Sequence, residues 1–408
     1  MYKSFNFNKY NSDKSSIINK LNQKINIGII SLNFNSSYAG KLIRGYINNL
    51  DRKIFNITTI STFNNIDYIT QDIIDKSDDI IELKNLNNNK TDYDNISETI
   101  NKYDFDIILY VDITQNCLLQ LLSYTRFAPV QVVLGWGHPI QHNHIDYYIS
   151  LNIETQNELN NYKNNVILMS NISSYLYKPS INDPDNLSIM LDNYPDIQNT
   201  LNNYKYENVF EKYYNSNNID KNDVNTYFIP TSIYKLNNDY LTVLNEIIKK
   251  DPKGYIFITK YANNLQVNCI SNLEKFINQF ENNRIILIDY QEHHNILYLI
   301  DKCDVVLDTY PWGSGITALE TIAIGKPLIG LYGNQLYNRL NYFIYQKLNL
   351  KKELTNNVDT FIENAVSYAS QKISFKDINT SNIFENKNSV LEFELILLCL
   401  FNEFHKKL

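Results

Sequence analysis

The sequence predicts an α/β protein with two domains in tandem, each a parallel sheet covered by helices. The chain has 408 residues, a length that suits two domains better than one. Short apolar runs rich in β-branched residues alternate with helical patterns in both halves of the chain, as they do in β-α-β units. Residues 179–223 lose this periodicity and are rich in Asn, Asp and Tyr, which indicates a linker or an insertion between the two domains.

The first series of elements predicts an N-terminal domain over residues 24–178. It opens with an Ile-rich run at 25–31, which is typical of a buried parallel strand. The other predicted elements are strands at 55–60, 106–111 and 130–134, and helices near 41–50, 95–102 and 115–124. Residues 1–23 are polar and aperiodic, so we expect an irregular leader there.

The second series predicts a C-terminal domain over residues 224–380, followed by a C-terminal helix at 381–408. The predicted strands of this domain lie at 225–230, 255–258, 284–288, 305–308 and 327–330. Ligands of such sheets bind at the carboxyl ends of the strands. We therefore expect the binding site at that edge, in a cleft that two such domains face.

Composition excludes several classes of function. Lys and Arg number 37 against 44 Asp and Glu, a net charge of −7, so the chain lacks the basic field that holds a nucleic acid. Its four cysteines form no CxxC pair, which disfavours a disulfide framework or a zinc cluster and favours the cytoplasm. A membrane helix needs about 18 apolar residues, and the run at 391–401 is interrupted by Glu392 and Glu394.

The scarce residue types cluster in two windows, 126–146 and 304–333. The chain has 11 Gly, 9 Pro and 2 Trp, and both tryptophans and several of the glycines and prolines fall in these windows. Gly and Pro set backbone conformations that other residues do not reach, so the clusters indicate shaped loops, where binding sites usually lie. Two tight structural turns are the alternative interpretation.

The window after Asp308 runs from a buried strand through a Gly/Pro loop into a helix. Backbone N–H groups at the start of that helix and the Thr317 hydroxyl suit a phosphate, and Glu320, one turn later, suits sugar hydroxyls. This favours a nucleoside diphosphate. The window is neither GxGxxG nor a P-loop, which disfavours redox dinucleotides and nucleotide hydrolysis. A purely structural glycine loop is the alternative.

Lys235 follows the strand that ends at Pro230 and is expected at the same carboxyl edge. A lysine in that place can neutralise a diphosphate leaving group. Since the chain contains many lysines, the alternative is an ordinary surface residue.

The first window contains His138, His142 and His144 together with Asp146, a set that could hold a metal ion. The spacing is not HExxH and the loop has no cysteine, so we expect no metal. His138, between Gly137 and Pro139, is better suited to hydrogen bonding or general-base chemistry, with a structural role as the alternative.

Both windows resemble the O-GlcNAc transferase-like glycosyltransferases of family 41. Arg-Phe-Ala-Pro-Val-Gln at 126–131, Gly-His-Pro at 137–139 and Ile-Asp-Tyr at 145–147 are similar to the family's RxAPVQ, GHP and IDY motifs. Cys-Asp-Val-Val-Leu-Asp-Thr at 303–309, with Glu320 and Gly-Lys-Pro at 325–327, resembles a second family segment. Weaker matches lie at 27–34, at 228–235 and at Arg339, and all of these anchors follow the family order.

The resemblance implies a GT-B fold, two Rossmann-like domains facing a central cleft. It also implies metal-independent, inverting transfer of GlcNAc or glucose from a UDP-sugar to a protein or peptide side chain, without a cofactor. By resemblance Lys235 holds the diphosphate, Thr317 the phosphates and Glu320 the ribose. The further donor-binding residues implied in this way are Gly137, Pro139, Gln291, His293, His294, Gly315 and Arg339.

Departures from the family pattern leave the base and the sugar open. The family has a His as a candidate base where this chain has Ser36 and Ser37, and the Asn before the phosphate-binding Thr is Ile316. His138 is then the expected base and Asp112, at a strand end, the second choice. The sequence contains no tetratricopeptide repeats, so we expect no superhelical groove that selects acceptors.

Two other functions remain open at the level of sequence. One is a catalytically degenerate protein that binds a nucleotide sugar or acts as a scaffold. The other is a GT-B transferase whose acceptor is a glycan or a lipid.

Overall fold

The computed structural model describes residues 3–4, 23–84, 90–135, 142–160, 162–260, 267–280, 282–350 and 353–405. The chain divides into two compact units. Unit 1 comprises Met1–Tyr177 and Ser381–Leu408, and unit 2 comprises Lys178–Thr380. Each unit is a parallel sheet with helices, which is the α/β class that the alternating pattern predicts.

Unit 1 is built on an eight-stranded sheet in the order β1-β8-β7-β6-β5-β2-β3-β4, and all neighbouring strands are parallel. The strands are β1 (Lys3–Ser4), β2 (Ile25–Ile30), β3 (Phe55–Ser61), β4 (Asp79–Glu82), β5 (Ile107–Tyr110), β6 (Val130–Leu134), β7 (Tyr147–Leu151) and β8 (Asn165–Met169). The helices are α1 (Tyr38–Asn49), α2 (Tyr68–Lys76), α3 (Lys90–Ile100), α4 (Cys117–Leu122) and α5 (Gln156–Asn160). A 3-10 turn covers Ile113–Gln115.

The strands that the sequence predicts in unit 1 are those with continuous apolar runs, since parallel strands are buried on both faces. In β5, for example, every residue is buried. Four further strands do not meet this criterion. β4 exposes three of its four residues at the edge of the sheet, and β7 contains two tyrosines and a serine. β8 begins with an exposed asparagine, and β1 lies inside the expected irregular leader.

Unit 2 is built on a six-stranded parallel sheet in the order β11-β10-β9-β12-β13-β14. Its strands are β9 (Asn225–Ile229), β10 (Gly254–Thr259), β11 (Ile285–Ile288), β12 (Val305–Leu307), β13 (Leu328–Leu331) and β14 (Leu354–Thr355). Its helices are α6 (Ile197–Asn202), α7 (Val209–Ser216), α8 (Asn238–Lys250), α9 (Val267–Ile277), α10 (His293–Lys302), α11 (Ile316–Ile324), α12 (Leu340–Lys347) and α13 (Val358–Ser370). Every residue of β9, the third strand across, is buried.

Residues 179–223, expected as a linker or insertion, belong to unit 2 in the structure. They contain a 3-10 turn at Leu187–Met190 and the helices α6 and α7. Phe210 of α7 packs on Phe228 of β9 and on Phe257 of β10, with ring centroids 5.2 and 4.6 Å apart. The end of this segment is thus part of the hydrophobic core of unit 2.

The C-terminal helix α14 (Lys387–His405) returns to unit 1. Its Phe393 ring stacks on Tyr46 of α1 with centroids 4.2 Å apart. Glu392 accepts hydrogen bonds from the backbone N–H groups of Ser170 and Asn171 at 2.7 and 2.8 Å, and Glu394 accepts one from Asp51 N–H at 2.9 Å. The two glutamates that interrupt the apolar run are therefore buried hydrogen-bond acceptors. Among the described residues, no helix combines the length and apolar character needed to cross a membrane.

Candidate functional site

Unit 2 contains a pocket of about 310 Å³ at the carboxyl ends of β9, β10 and β11. The first turns of helix α11 form another side of it. Its lining residues are Pro230, Thr231, Ser232, Tyr234, Lys235, Thr259, Lys260, Tyr290, Gln291, His293, Ile296, Thr317 and Glu320. The structure thus brings together five residues that the sequence singles out, namely Lys235, Gln291, His293, Thr317 and Glu320. They meet because parallel strands place their carboxyl ends on one edge of the sheet.

Lys235 ends the short 3-10 turn that follows β9, and it is half-buried. Its ammonium group donates a hydrogen bond to the carbonyl oxygen of Gly313 at 3.1 Å. Burial lowers the pKa of Lys235, and the nearby carboxylate of Asp308 opposes that shift. The side chain is therefore tied to the Gly/Pro loop and directed along the pocket wall.

Asp308, directly after β12, is a buried hydrogen-bond acceptor for the Gly/Pro loop that follows it. Its carboxylate accepts hydrogen bonds from the N–H groups of Thr309 and Ser314 at 2.9 and 2.8 Å, from the Ser314 hydroxyl at 2.6 Å and from the side-chain amide of Asn341. Burial raises the pKa of Asp308, while the Ser314 hydrogen bond and the Lys235 charge oppose the rise. The shape of the loop is held by one buried acceptor group that several donors share.

Helix α11 points its N-terminus at the pocket, with Gly315 as its N-cap residue and Thr317 in its first turn. Among the residues that the structure describes, no side chain caps this helix end. Its first backbone N–H groups and the positive end of the helix dipole are therefore suited to an anion. Gly315 contributes backbone here and does not itself line the pocket.

Glu320 lies one turn further along α11, and its side chain is only 7% exposed. Its Oε1 atom is 2.6 Å from Nε2 of His293, the first residue of α10. The other ring nitrogen of His293, Nδ1, lies 3.3 Å from Oδ1 of Asp185. By resemblance His293 belongs to a base-binding loop, whereas in the structure its ring joins two carboxylates at the wall of the pocket.

Gln291 and His294, also predicted as donor-binding residues, are placed differently. Gln291 lines the pocket, and its side chain bonds the Asp289 carbonyl and Asn295 at 3.0 and 2.6 Å. His294 does not line the pocket. Its ring stacks on Tyr204 with centroids 4.5 Å apart, because α10 turns consecutive side chains about 100° apart and only His293 faces the pocket.

Arg339 is likewise not among the pocket residues. It is buried at the N-cap of α12, and its backbone N–H bonds the carbonyl of Leu336 at 2.9 Å. Although Arg339 follows Gly333 as the resemblance requires, its side chain does not line the pocket. Gly137, His138 and Pro139, the predicted sugar-side residues, lie outside the described residues.

Asp112, the second choice of base, lies in unit 1 two residues after the end of β5 and has no exposed surface. Its Oδ2 accepts a hydrogen bond from Asn33 Nδ2 at 2.8 Å. Burial raises the pKa of Asp112, opposed by hydrogen bonds from Asn33 and Ser31. A carboxyl group enclosed in this way holds the side chain of Asn33 in place. Half-buried Asn33 lines a second, polar pocket of about 130 Å³.

Ser36 and Ser37, which replace the family His, begin helix α1. Ser37 is its N-cap residue and donates its hydroxyl to the Asn33 carbonyl at 3.1 Å, and the Ser36 N–H donates to Asp67 at 2.6 Å. Both serines have local structural partners, and a hydroxyl is no base near neutral pH.

The first sequence window has a structural function where it is described. Arg126 pairs with Asp146 at 2.5 Å, and the same carboxylate accepts from the Gln131 N–H at 2.8 Å. The Gln131 side chain donates to the His144 carbonyl at 2.8 Å, and the His142 ring stacks on Tyr124. These contacts join β6 to the segment that leads into β7. Within the described ranges, no group of three or more His, Cys, Asp or Glu side chains is placed to hold a metal ion.

Several pocket residues were missed by sequence reasoning. Lys260 directly follows β10, half-buried and paired with Asp289 at 3.1 Å. Like Lys235, Lys260 follows a predicted strand, so its place in the sequence indicates the carboxyl edge of the sheet equally well. Tyr234 and Tyr290 are 65% and 49% exposed at the pocket, and in a chain with 32 tyrosines neither stands out.

No protein-family profile matches the sequence. No curated protein sequence matches it. Solved structures do. A mutant of the O-GlcNAc transferase of Thermobaculum terrenum superposes with a TM-score of 0.73 over 94% of this chain and 69% of that one, at 15% identity.

Two further structures have lower scores. A glycosyltransferase from Rickettsia africae has a TM-score of 0.54 over 94% of this chain and 99% of that one, at 14% identity. The lipopolysaccharide outer core galactosyltransferase WaaB has a TM-score of 0.53 over 91% and 99%, at 11% identity. At such low identity these likenesses show the fold, and they confirm the GT-B class that the sequence predicts.

Proposed function

We propose that this chain is a glycosyltransferase that moves GlcNAc or glucose from a UDP-sugar to a side chain of a protein or peptide, without a metal ion. The observation that carries the proposal is the meeting of Lys235, the N-terminus of α11 and Glu320 in one pocket. A cation and a helix N-terminus suit a diphosphate, and a carboxylate suits the hydroxyls of a ribose. The fold and the sequence motifs support the same choice.

The diphosphate end of the donor is assigned to Lys235 and the first turn of α11. In the reaction the acceptor oxygen or nitrogen attacks the anomeric carbon from the face opposite the leaving group. The bond from that carbon to the UDP oxygen breaks, and UDP leaves with the electron pair. Lys235 and the N–H groups near Thr317 then stabilise the charge that develops on the diphosphate.

The nucleoside end is assigned to Glu320 and the exposed aromatic side chains. Glu320 would accept from ribose hydroxyls, while Tyr234 and Tyr290 offer ring surfaces on which a base or a sugar can stack. His138 is assigned to take the proton of the acceptor, because Asp112 is enclosed and the Ser37 hydroxyl is no base near neutral pH. In this proposal Asp112 holds the side chain of Asn33 in place and takes no proton from the acceptor.

The donor site is tested by calorimetric titration of the purified protein with UDP, UDP-GlcNAc and UDP-glucose. ADP and GDP, which carry other bases, are the control ligands. We expect UDP-selective binding that Lys235→Ala weakens roughly tenfold or more, since a charge-assisted bond is removed. Lys249→Ala is the matched control, because that lysine is exposed on α8 and pairs only with Glu246 among the contacts described. Absence of binding by the wild-type protein would reject the proposal.

A nucleotide-sugar-binding protein without turnover is the second candidate, favoured by the structural use of Ser36 and Ser37 described above. Radiolabelled sugar transfer to a protein extract separates the two. Transfer that His138→Ala abolishes, with UDP binding kept, supports the enzyme and its base. If the protein binds UDP but transfers no sugar from any of the donors, the second candidate is supported.

We also propose a reducing, cytoplasmic site of action. Among the described residues, Cys117 and Cys303 are in no disulfide, and Cys303 is buried. Localisation of a tagged chain by fractionation tests this.

A further inference from the structure

Residues 179–223 pack against the first turn of helix α10, which carries the pocket residue His293. The ring of His294 stacks on Tyr204 with an angle of 12° between the planes, and its Nε2 atom lies 3.0 Å from the Lys205 carbonyl oxygen. The Tyr206 ring meets the edge of the same histidine with centroids 5.8 Å apart. One side of the helix start is therefore covered by this segment.

A second contact fixes the backbone at the same place. Asn295 and Glu207 exchange two hydrogen bonds, from Glu207 N–H to Asn295 Oδ1 at 2.8 Å and from Asn295 Nδ2 to the Glu207 carbonyl at 3.2 Å. Asn295 is buried. An amide side chain that bonds both the N–H and the C=O of one residue pairs with it as a neighbouring strand does, and it sets the distance between the segment and α10.

The segment also supplies a side chain that contacts the pocket residue His293. Asp185 lies 3.3 Å from Nδ1 of His293, and Nε2 of the same ring lies 2.6 Å from Glu320. The side chains of Asp185, His293 and Glu320 are 17%, 34% and 7% exposed. An imidazole with a carboxylate at each nitrogen is held in one orientation, as the outer carboxylate orients histidines in many sites.

We propose that Asp185 and His293 are positioning residues that hold the Glu320 carboxylate for the ribose hydroxyls of a nucleoside diphosphate. Residues 179–223 are then a structural part of the donor site. This inference rests on the function proposed above and adds the element that sets specificity for ribose. A carboxylate has about four acceptor positions, so a histidine and two hydroxyls can share it.

The test compares UDP with 2′,3′-dideoxyuridine 5′-diphosphate by calorimetry on the full chain. The wild-type protein should bind UDP more tightly, since only UDP has hydroxyls for Glu320. Asp185→Asn and His293→Gln should each weaken UDP binding roughly tenfold, the size of one charge-assisted hydrogen bond, and leave the dideoxy compound nearly unaffected. Asp192→Asn removes an exposed carboxylate from the same segment and should change neither affinity.

The outcomes separate this inference from the proposed function. If wild-type protein binds UDP but both variants keep its preference over the dideoxy compound, the positioning role is wrong and the donor site stands. An equal loss of affinity for both compounds, with a lower unfolding temperature, indicates a purely structural contact and also overturns the inference. If the wild-type protein binds no UDP, the proposed function fails and this inference fails with it.

Discussion

At the scale of single residues, the pocket depends on a few buried carboxylates whose partners come from distant parts of the chain. Asp308 and Asn341 are 33 positions apart, and Glu320 and His293 are 27 apart. The sequence identifies Glu320 by its place in a helix after a glycine loop. The sequence does not indicate that the His293 ring faces that glutamate, because the orientation of the ring depends on the register of helix α10 and on the length of the loop before it.

Replacing Asp308 with Ala should lower the free energy of unfolding by about 3 kcal/mol, because several buried donors lose their shared acceptor. Denaturant unfolding followed by circular dichroism measures the loss. Asp289→Ala is the matched control, since that side chain is 91% exposed and its pair with Lys260 should contribute less than about 0.5 kcal/mol. Equal losses in the two variants would contradict the role given to Asp308.

Asp112→Asn should stabilise the protein increasingly as the pH rises. Burial raises the pKa of Asp112 in the folded state, so the folded state binds that proton more tightly than the unfolded state does. The stability contributed by this group is therefore present at low pH and is lost as the pH rises through the folded-state pKa. Asn does not titrate, and its carbonyl oxygen can still accept from Asn33.

Urea unfolding of both proteins at several pH values checks the sign. The difference in free energy of unfolding should be small near pH 4 and should widen in favour of the variant toward about pH 8. A difference that shrinks as the pH rises would show that the ionised Asp112 is stabilised in the folded state.

At the scale of elements, the predicted strands are those with continuous apolar runs, and the missed ones are short or mixed. Strand β8 begins with the exposed Asn165, and its pairing with β7 is set by their shared register. A strand of this kind is stabilised by its neighbours in the sheet, which local patterns do not reveal. The C-terminal helix is different, since its length and apolar content predict it directly, whereas its partners come from the tertiary structure.

Glu392→Ala in helix α14 should lower the free energy of unfolding of unit 1 by about 3 kcal/mol, because two backbone N–H groups and the Asn171 amide lose their acceptor. Asn388→Ala, at an exposed position near the start of the same helix, should change it by less than about 0.5 kcal/mol. Chemical denaturation of the two variants provides the measurement. If both behave alike, the glutamate contacts contribute little.

At the scale of the whole molecule, the chain crosses between its two units twice, once near residue 178 and once near residue 380. A chain that ends at residue 386 lacks α14 and should lose hydrogen-exchange protection in β2 of unit 1. Protection in β9 of unit 2 should persist, because the core of that unit is complete between residues 178 and 380.

Hydrogen exchange detected by mass spectrometry, with and without UDP, follows both strands in one experiment. We expect UDP still to protect the peptides around Lys235 and Thr317 in the shortened chain. A simultaneous loss of protection in β2 and β9 would show that the two units do not have separate stabilities.

Local patterns in the sequence are sufficient for the alternation of strands and helices, the two-unit α/β class, the carboxyl-edge location of the site and the choice of Lys235, Thr317 and Glu320. These follow from burial, β-branching and the chemistry of a strand end, which are encoded within a few neighbouring residues. Only the tertiary structure placed Asp185 beside His293, turned His294 and Arg339 away from the pocket and enclosed Asp112. Each of these depends on how segments distant in the chain pack, and packing is a property of all the partners together.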